Sequence, residues 1–203
     1  MPLNVKPIVG GGGENVIASY DYYDIAEGTG IKEFITYADI DASGAHKRLG
    51  TEVFTSYVNR VSGAYVGCVS GAYTKIMDLD FSLSPFNYPK IIDGTAQVEC
   101  HSYVHQASPA TCSGVYVVAG IKKNDDIVAS MADKHIAYPA NEYRTFLAVD
   151  IPRTNYRKGD ILKLNIRSYA DVKLSGALLQ GVLLSDPSGS SAHVYIPFKI
   201  DLG

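Results

Sequence analysis

From residue 31 onward the apolar positions fall in short runs or alternate with polar ones, and Gly, Pro, Asn, Asp and Ser separate the runs. No window of about eleven residues holds a 3.6-residue apolar period, so the pattern predicts strands and no amphipathic helix. The last strand is the clearest. Val194, Ile196, Phe198 and Ile200 alternate with Tyr195, Pro197, Lys199 and Asp201, which assigns the first set to a buried face. Pro197 has no N–H to give to a ladder, so this strand is predicted at a sheet edge or locally interrupted. Residues 161–167 open with an apolar pair and then alternate, with Leu162, Leu164 and Ile166 inward and Lys163, Asn165 and Arg167 in water. Residues 146–151 read as a strand, and 152–160 as a turn-rich connection out of it. Residues 115–121 run into the polar stretch Lys122-Lys123-Asn124-Asp125-Asp126 and return through 127–130, a hairpin pattern.

Further strands are predicted at about 33–40, 52–59, 63–70, 76–83, 95–105 and 177–184. Some ten short strands with no crossover helix to join parallel neighbours make the fold class all-β, an antiparallel jelly-roll-like β-sandwich. Residues 21–203 form its single domain. Residues 1–20 read as a flexible N-terminal arm, because Val9 is followed by Gly10, Gly11, Gly12 and Gly13, which have no side chains with which to pack. These five residues are the predicted contact with a partner. A phosphate-cradling loop would need a helix after the glycines, and no helical period follows Gly13.

Composition adds constraints. The 203 residues are 46% hydrophobic and 19% charged, enough to bury a real core. Eighteen Lys and Arg against 21 Asp and Glu give a net charge of -3, without the cationic surface that general nucleic-acid binding requires. No apolar stretch reaches the ~20 residues of a membrane helix, and the first residues lack a secretory pattern, so synthesis in the cytoplasm is expected. Three cysteines, Cys68, Cys100 and Cys112, do not make the even framework of a disulfide-stapled domain and are expected reduced and buried. The 15 tyrosines, alongside no tryptophan, are assigned chiefly to core strands.

Candidate chemistry is sparse. His101 and His105 share a strand face, but roughly 13 Å between their Cα atoms is too far for one Zn²⁺, and Cys100 points to the other face. Asp78 and Asp80, like Asp39 and Asp41, sit roughly 7 Å apart, near the separation of a glycosidase carboxylate pair. Alternate charges on an outward strand face account for the same pattern. The Asn124-Asp125-Asp126 turn does not match a dense Ca²⁺-ligand repeat. No Gly-x-Ser-x-Gly elbow occurs, and Ser62-Gly63 and Ser70-Gly71 read as turns. The expectation is therefore a protein that is not an enzyme, with no cofactor and no metal.

Several phrases together resemble phage and virus-like structural proteins built on a jelly roll. They are Asp24-Ile25-Ala26-Glu27-Gly28-Thr29-Gly30, the stretch from Ser84-Pro85-Phe86-Asn87-Tyr88-Pro89 to Asp93-Gly94-Thr95-Ala96, and Val118-Ala119-Gly120-Ile121-Lys122-Lys123. Ile151-Pro152-Arg153-Thr154, Tyr156-Arg157-Lys158-Gly159-Asp160-Ile161-Leu162, Ser185-Asp186-Pro187 and the terminal Tyr195-Ile196-Pro197-Phe198-Lys199-Ile200-Asp201-Leu202 complete the set. The resemblance implies a capsid decoration or cement subunit of a virion, a homotrimer held to the major capsid protein or other virion proteins. It implies no nucleic acid and no membrane as partner. The alternative reading is a trimeric fibre or tail-associated module that recognises host-surface carbohydrate or a receptor, with Tyr20-Asp21-Tyr22-Tyr23-Asp24 as stacking platforms.

Overall fold

A computed structural model describes residues 29–41, 44–51, 60–106, 112–135, 142–184 and 191–199. The arm, with Val9 and Gly10 to Gly13, the strand predicted at 52–59, the Tyr20 to Asp24 stretch and Ile200 lie outside the described residues, as do the side chains of Asp39 and Asp41. The described elements are β1 (Thr29–Asp41), β2 (Gly44–Gly50), β3 (Arg60–Ser62), β4 (Val66–Cys68), β5 (Thr74–Ser82) and β6 (Lys90–Gln106). They continue as β7 (Cys112–Lys123), β8 (Asp126–His135), β9 (Tyr143–Tyr156), β10 (Leu162–Val172), β11 (Ala177–Leu184) and β12 (His193–Lys199).

One hydrogen-bonded path runs β3-β11-β6-β12-β1-β2-β5-β10-β7-β8, with β4 also on β11 and β9 also on β6. Pairing is antiparallel apart from a single β2–β5 step, Arg48 with Ser82, and an isolated bridge between Ser70 and Val172. Strands far apart on that path share one core. Phe34 of β1, Val98 of β6, Val149 of β9 and Val194 of β12 pack with Phe81 of β5, Ile121 of β7 and Leu164 of β10. The sheet is therefore folded over itself into the two faces of a sandwich and does not close as a barrel. A second cluster fills one end, around Cys68, Ile76, Val104, Val115 and Leu179.

The alternation assigned to the last strands holds: Leu162, Leu164, Ile166, Val194, Ile196 and Phe198 are all buried. Each contributes roughly 1.5–3 kcal/mol by leaving water. The hairpin also forms, as β7 and β8 joined by Asn124 and Asp125, with Asn124 at φ 57, a left-handed conformation that Asn tolerates. Cys68, Cys100 and Cys112 are free and buried.

The alternative left open for Pro197 resolves to an interrupted ladder in an interior strand, and three other readings change. Pro197 lies in β12, an interior strand between β1 and β6, and the ladder to β6 is interrupted between Tyr195 and Phe198. Gly94, at φ 118, lies opposite; a Cβ there would sit 3.6 Å from the Pro197 ring. The strand at 146–151 continues to Tyr156, because Pro152 falls where β9 skips a partner on β6, between the Gly94 and Ile92 pairings, so its missing N–H costs no ladder bond. Strand β2 was not foreseen, since its sequence lacks alternation and it is held by the hairpin register of β1, Asp41 against Gly44. The tyrosines are mostly not core: of those described only Tyr37 and Tyr156 are buried, and of the others Tyr143 is partly buried against both core clusters.

Candidate functional site

The period of two that buries one face of β6, β9 and β12 sends Gln97, Glu99, Phe146, Ala148, His193 and Tyr195 to the other. Register lines them up across the strands. Phe146 pairs with Glu99 and Ala148 with Gln97 on one side of β6, while His193 pairs with Glu99 and Tyr195 with Gln97 on the other. On β1, Glu33 pairs with Tyr195. Ala148 is short where its neighbours are long, so a groove of about 450 Å³ opens there, lined by Gln97, Glu99, Phe146, Ala148 and Tyr195. Phe146 is 62% exposed, with the Arg144 guanidinium 4.9 Å from its ring centre.

The polar groups of this face are fixed. The Arg144 guanidinium donates to Glu99 Oε1, and His101 Nε2 lies 3.2 Å from the same oxygen. Burial pushes the Glu99 carboxyl up, and the hydrogen bonds from His101 and Arg144 more than offset it, holding the group below the usual carboxylate range. Tyr195 donates its hydroxyl to Glu33 Oε1 at 3.0 Å, and partial burial followed by that carboxylate raises the phenol above its ordinary value.

Glu33 also bonds His193 Nδ1 at 2.7 Å, and His193 Nε2 lies 3.2 Å from Ser191 Oγ. The order serine, histidine, carboxylate is that of an acyl-transfer relay. The exposures run the other way. Ser191 is 1% exposed while the Glu33 side chain is 46% exposed, so the hydroxyl is withdrawn from solvent and the acid faces it. As arranged, the chain of bonds ties β1 to β12 and positions Tyr195.

The other residues singled out in the sequence fall elsewhere. Asp78 and Asp80 do share a face, and a single amide, Asn165 Nδ2, donates to both at 2.8 and 2.7 Å. Lys75 donates to Asp78, and Lys122 Nζ lies 2.8 Å from both oxygens of Asp80. Asp78 is held below the usual carboxylate range in spite of its burial, by bonds from Lys75 and Asn165, the opposite of what a general acid needs. Asn165, assigned to water, is 1% exposed under this network, which corrects the simple inside-outside reading of β10. His105 Nδ1 bonds Tyr65 Oη at 2.6 Å, away from His101. Asn124 reaches across its turn to Asp160 and to the N–H of Ile161, and Asp125 bonds Lys163. The groove itself was not anticipated; the sequence signal was an aromatic, Phe146, on the side of a strand opposite its buried residues Leu147 and Val149.

No protein-family model and no curated protein matches the sequence. Among solved structures, an α-amino acid ester hydrolase matches with a TM-score of 0.54 and 9% identity, over 81% of this chain and 36% of that one. A CocE/NonD family hydrolase from Staphylococcus aureus matches with a TM-score of 0.52 and 11% identity, over 83% of this chain and 36% of that one. A structure of infectious bursal disease virus, Gx strain, reaches a TM-score of only 0.25, too low to show a shared fold. The chain spans little more than a third of the length of the two hydrolases, and at these identities the likeness is one of fold. It corrects one expectation. The reading of the chain as not an enzyme rested on the lack of a nucleophile elbow or other catalytic motif in the sequence, and the fold it adopts occurs within hydrolases, so the missing motif gives no ground for excluding catalysis.

Proposed function

We propose that the chain is a structural subunit of a virion, a decoration or stabilising protein that joins the major capsid protein or other virion proteins through protein–protein contacts, as a homotrimer. The observation that carries this reading is the pairing of the first and last described strands. Thr29 pairs with Lys199, so the first and last described strands begin and end side by side at one pole. A body closed by ladder hydrogen bonds between its first and last described strands suits a rigid subunit that acts through contacts of its surface. The resemblance of the strand-end and turn phrases to phage structural proteins supports the same reading.

Quantitative protein analysis of purified particles tests it. A copy number comparable to the shell protein is expected, and deletion of residues 1–14 lowers occupancy while leaving the melting temperature unchanged. Absence of the chain from particles, or undiminished attachment of the deletion variant, refutes the reading.

A further inference from the structure

We propose that the groove between Phe146 and Tyr195 is a binding site for a neutral saccharide, a role independent of the attachment reading. Three features of the groove select this ligand class.

The first is its aromatic pair. Phe146 on β9 pairs with Glu99 and Tyr195 on β12 with Gln97, so the two lie diagonally across β6, two ladder spacings over and two residues along, roughly 12 Å apart. That width admits a flat ring laid against either aromatic face, with carbon contacts of roughly 3.5–4.0 Å. Sugars carry apolar C–H faces and polar edges, and aromatic faces meet the former. Phe146 stands 62% exposed out of the sheet, where burial would favour it inside, with the Arg144 guanidinium against its ring.

The second is the floor between the walls, where Gln97 offers an amide donor and acceptor and Glu99 a carboxylate acceptor. Both kinds of group pair with sugar hydroxyls.

The third is that the site is pre-organised and its one permanent cation is paired. Arg144 and His101 hold Glu99, and Glu33 holds Tyr195 while itself bonded to His193, so little side-chain freedom remains to be lost on binding. Because the Glu99 charge is matched by Arg144, no uncompensated cation is left to select a phosphate or sulfate.

The test uses the full chain against an immobilised panel of α- and β-linked glucose, galactose, mannose and N-acetylhexosamine oligosaccharides, with heparin as a polyanion control. Binding to at least one neutral member is expected. Phe146→Ala and Tyr195→Phe separate the contributions of ring and hydroxyl, and Tyr195→Ala removes both. The two alanine variants lose about tenfold or more in affinity, equivalent to about 1.4 kcal/mol. Tyr195→Phe loses less, and Tyr88→Ala, at a 74% exposed tyrosine outside the groove, loses nothing. Phe146→Ala folds as the parent does, because the ring is mostly in water. Absence of binding across the neutral panel, binding to heparin alone, or binding that survives both alanine substitutions overturns the proposal. None of these outcomes bears on copy number in particles.

Discussion

Substitution of Gly181 by alanine probes a close approach of β11 to β5 and β10. The bulge between β5 and β10 leaves Ile76 outside the register, between Met77 paired with Ser168 and Lys75 paired with Tyr169. Its carbonyl is turned toward β11 and the residue after β3. A Cβ on Gly181 would lie 2.4 Å from Ser168 Oγ, 2.6 Å from Met77 Cβ and 3.4 Å from the Ile76 carbonyl oxygen. Ser168 Oγ can rotate away, but Met77 Cβ is fixed to its backbone, so the strands must separate. Overpacking of this kind costs about 1–3 kcal/mol. The entropy lost from the unfolded chain when alanine replaces glycine offsets about 0.4–1 kcal/mol of that. For a chain of this length a net loss of about 1–2 kcal/mol lowers the melting temperature by roughly 2–8 °C. Gly67 of β4 is the control, because a Cβ there meets nothing within 4 Å and its φ is not positive. Differential scanning calorimetry of the two variants at one pH is the assay. Gly181→Ala melts below the parent and Gly67→Ala at or slightly above it; equal melting of the two variants refutes the close approach.

Three further outcomes follow from the side-chain networks. Asn165→Leu removes the donor shared by Asp78 and Asp80 and lowers stability at neutral pH by about 1–3 kcal/mol after allowance for the exposure of both carboxylates. Because Asp78 has a lowered folded-state pKa, its contribution is complete above the ordinary value of 3.8 and is lost as the pH falls through the lowered one. Urea titrations from neutral to acid pH should therefore show a shallower acid loss in Asn165→Leu than in the parent; parallel profiles count against the network. Asp160, bonded by the N–H of Arg157, then by Asn124 and Lys123, is pushed down to about 2, so its carboxyl resonance in a carbon-13 titration stays that of the ion until about that pH. Titration near 3.8 would show that the turn is open in solution. Burial pushes the Cys100 thiol up to about 12 and Cys112 to about 11, and raises Cys68. Ellman's reagent should find no rapidly reacting thiol in the folded chain at pH 8 and three in guanidinium, and fast labelling of the folded chain would contradict the burial.

Much of the fold was legible because strand signals are local. Side chains alternate at every second residue whatever the partner strand, so Leu162, Leu164 and Ile166, and likewise Val194, Ile196 and Phe198, announced their buried face. Turn chemistry is equally local: the pair Asn124-Asp125 closes its hairpin through the tolerance of Asn for positive φ. Even Pro197 announced its interruption of the ladder. Strand partnership was not legible. Strand β2 carries no alternation and exists because β1 supplies its ladder, and Pro152 is accommodated in a strand because β9 is bulged against β6 at that point.

The candidate site lay beyond the sequence for the same reason. Glu33 reaches Tyr195 across 162 positions of chain, and Asn165 reaches Asp78 across 87, so neither contact leaves a trace in spacing. The sequence by itself determined that this is a β protein, which faces of its best strands are dry, and where several of its turns fall, since each depends on residues within a few positions of one another. Only the tertiary structure decided which strands lie together, that Asn165 is buried beneath charges, and that Phe146, Glu99 and Tyr195 surround one groove. Those facts depend on ladder register, which is set by the packing of the whole core and not by any one segment of it.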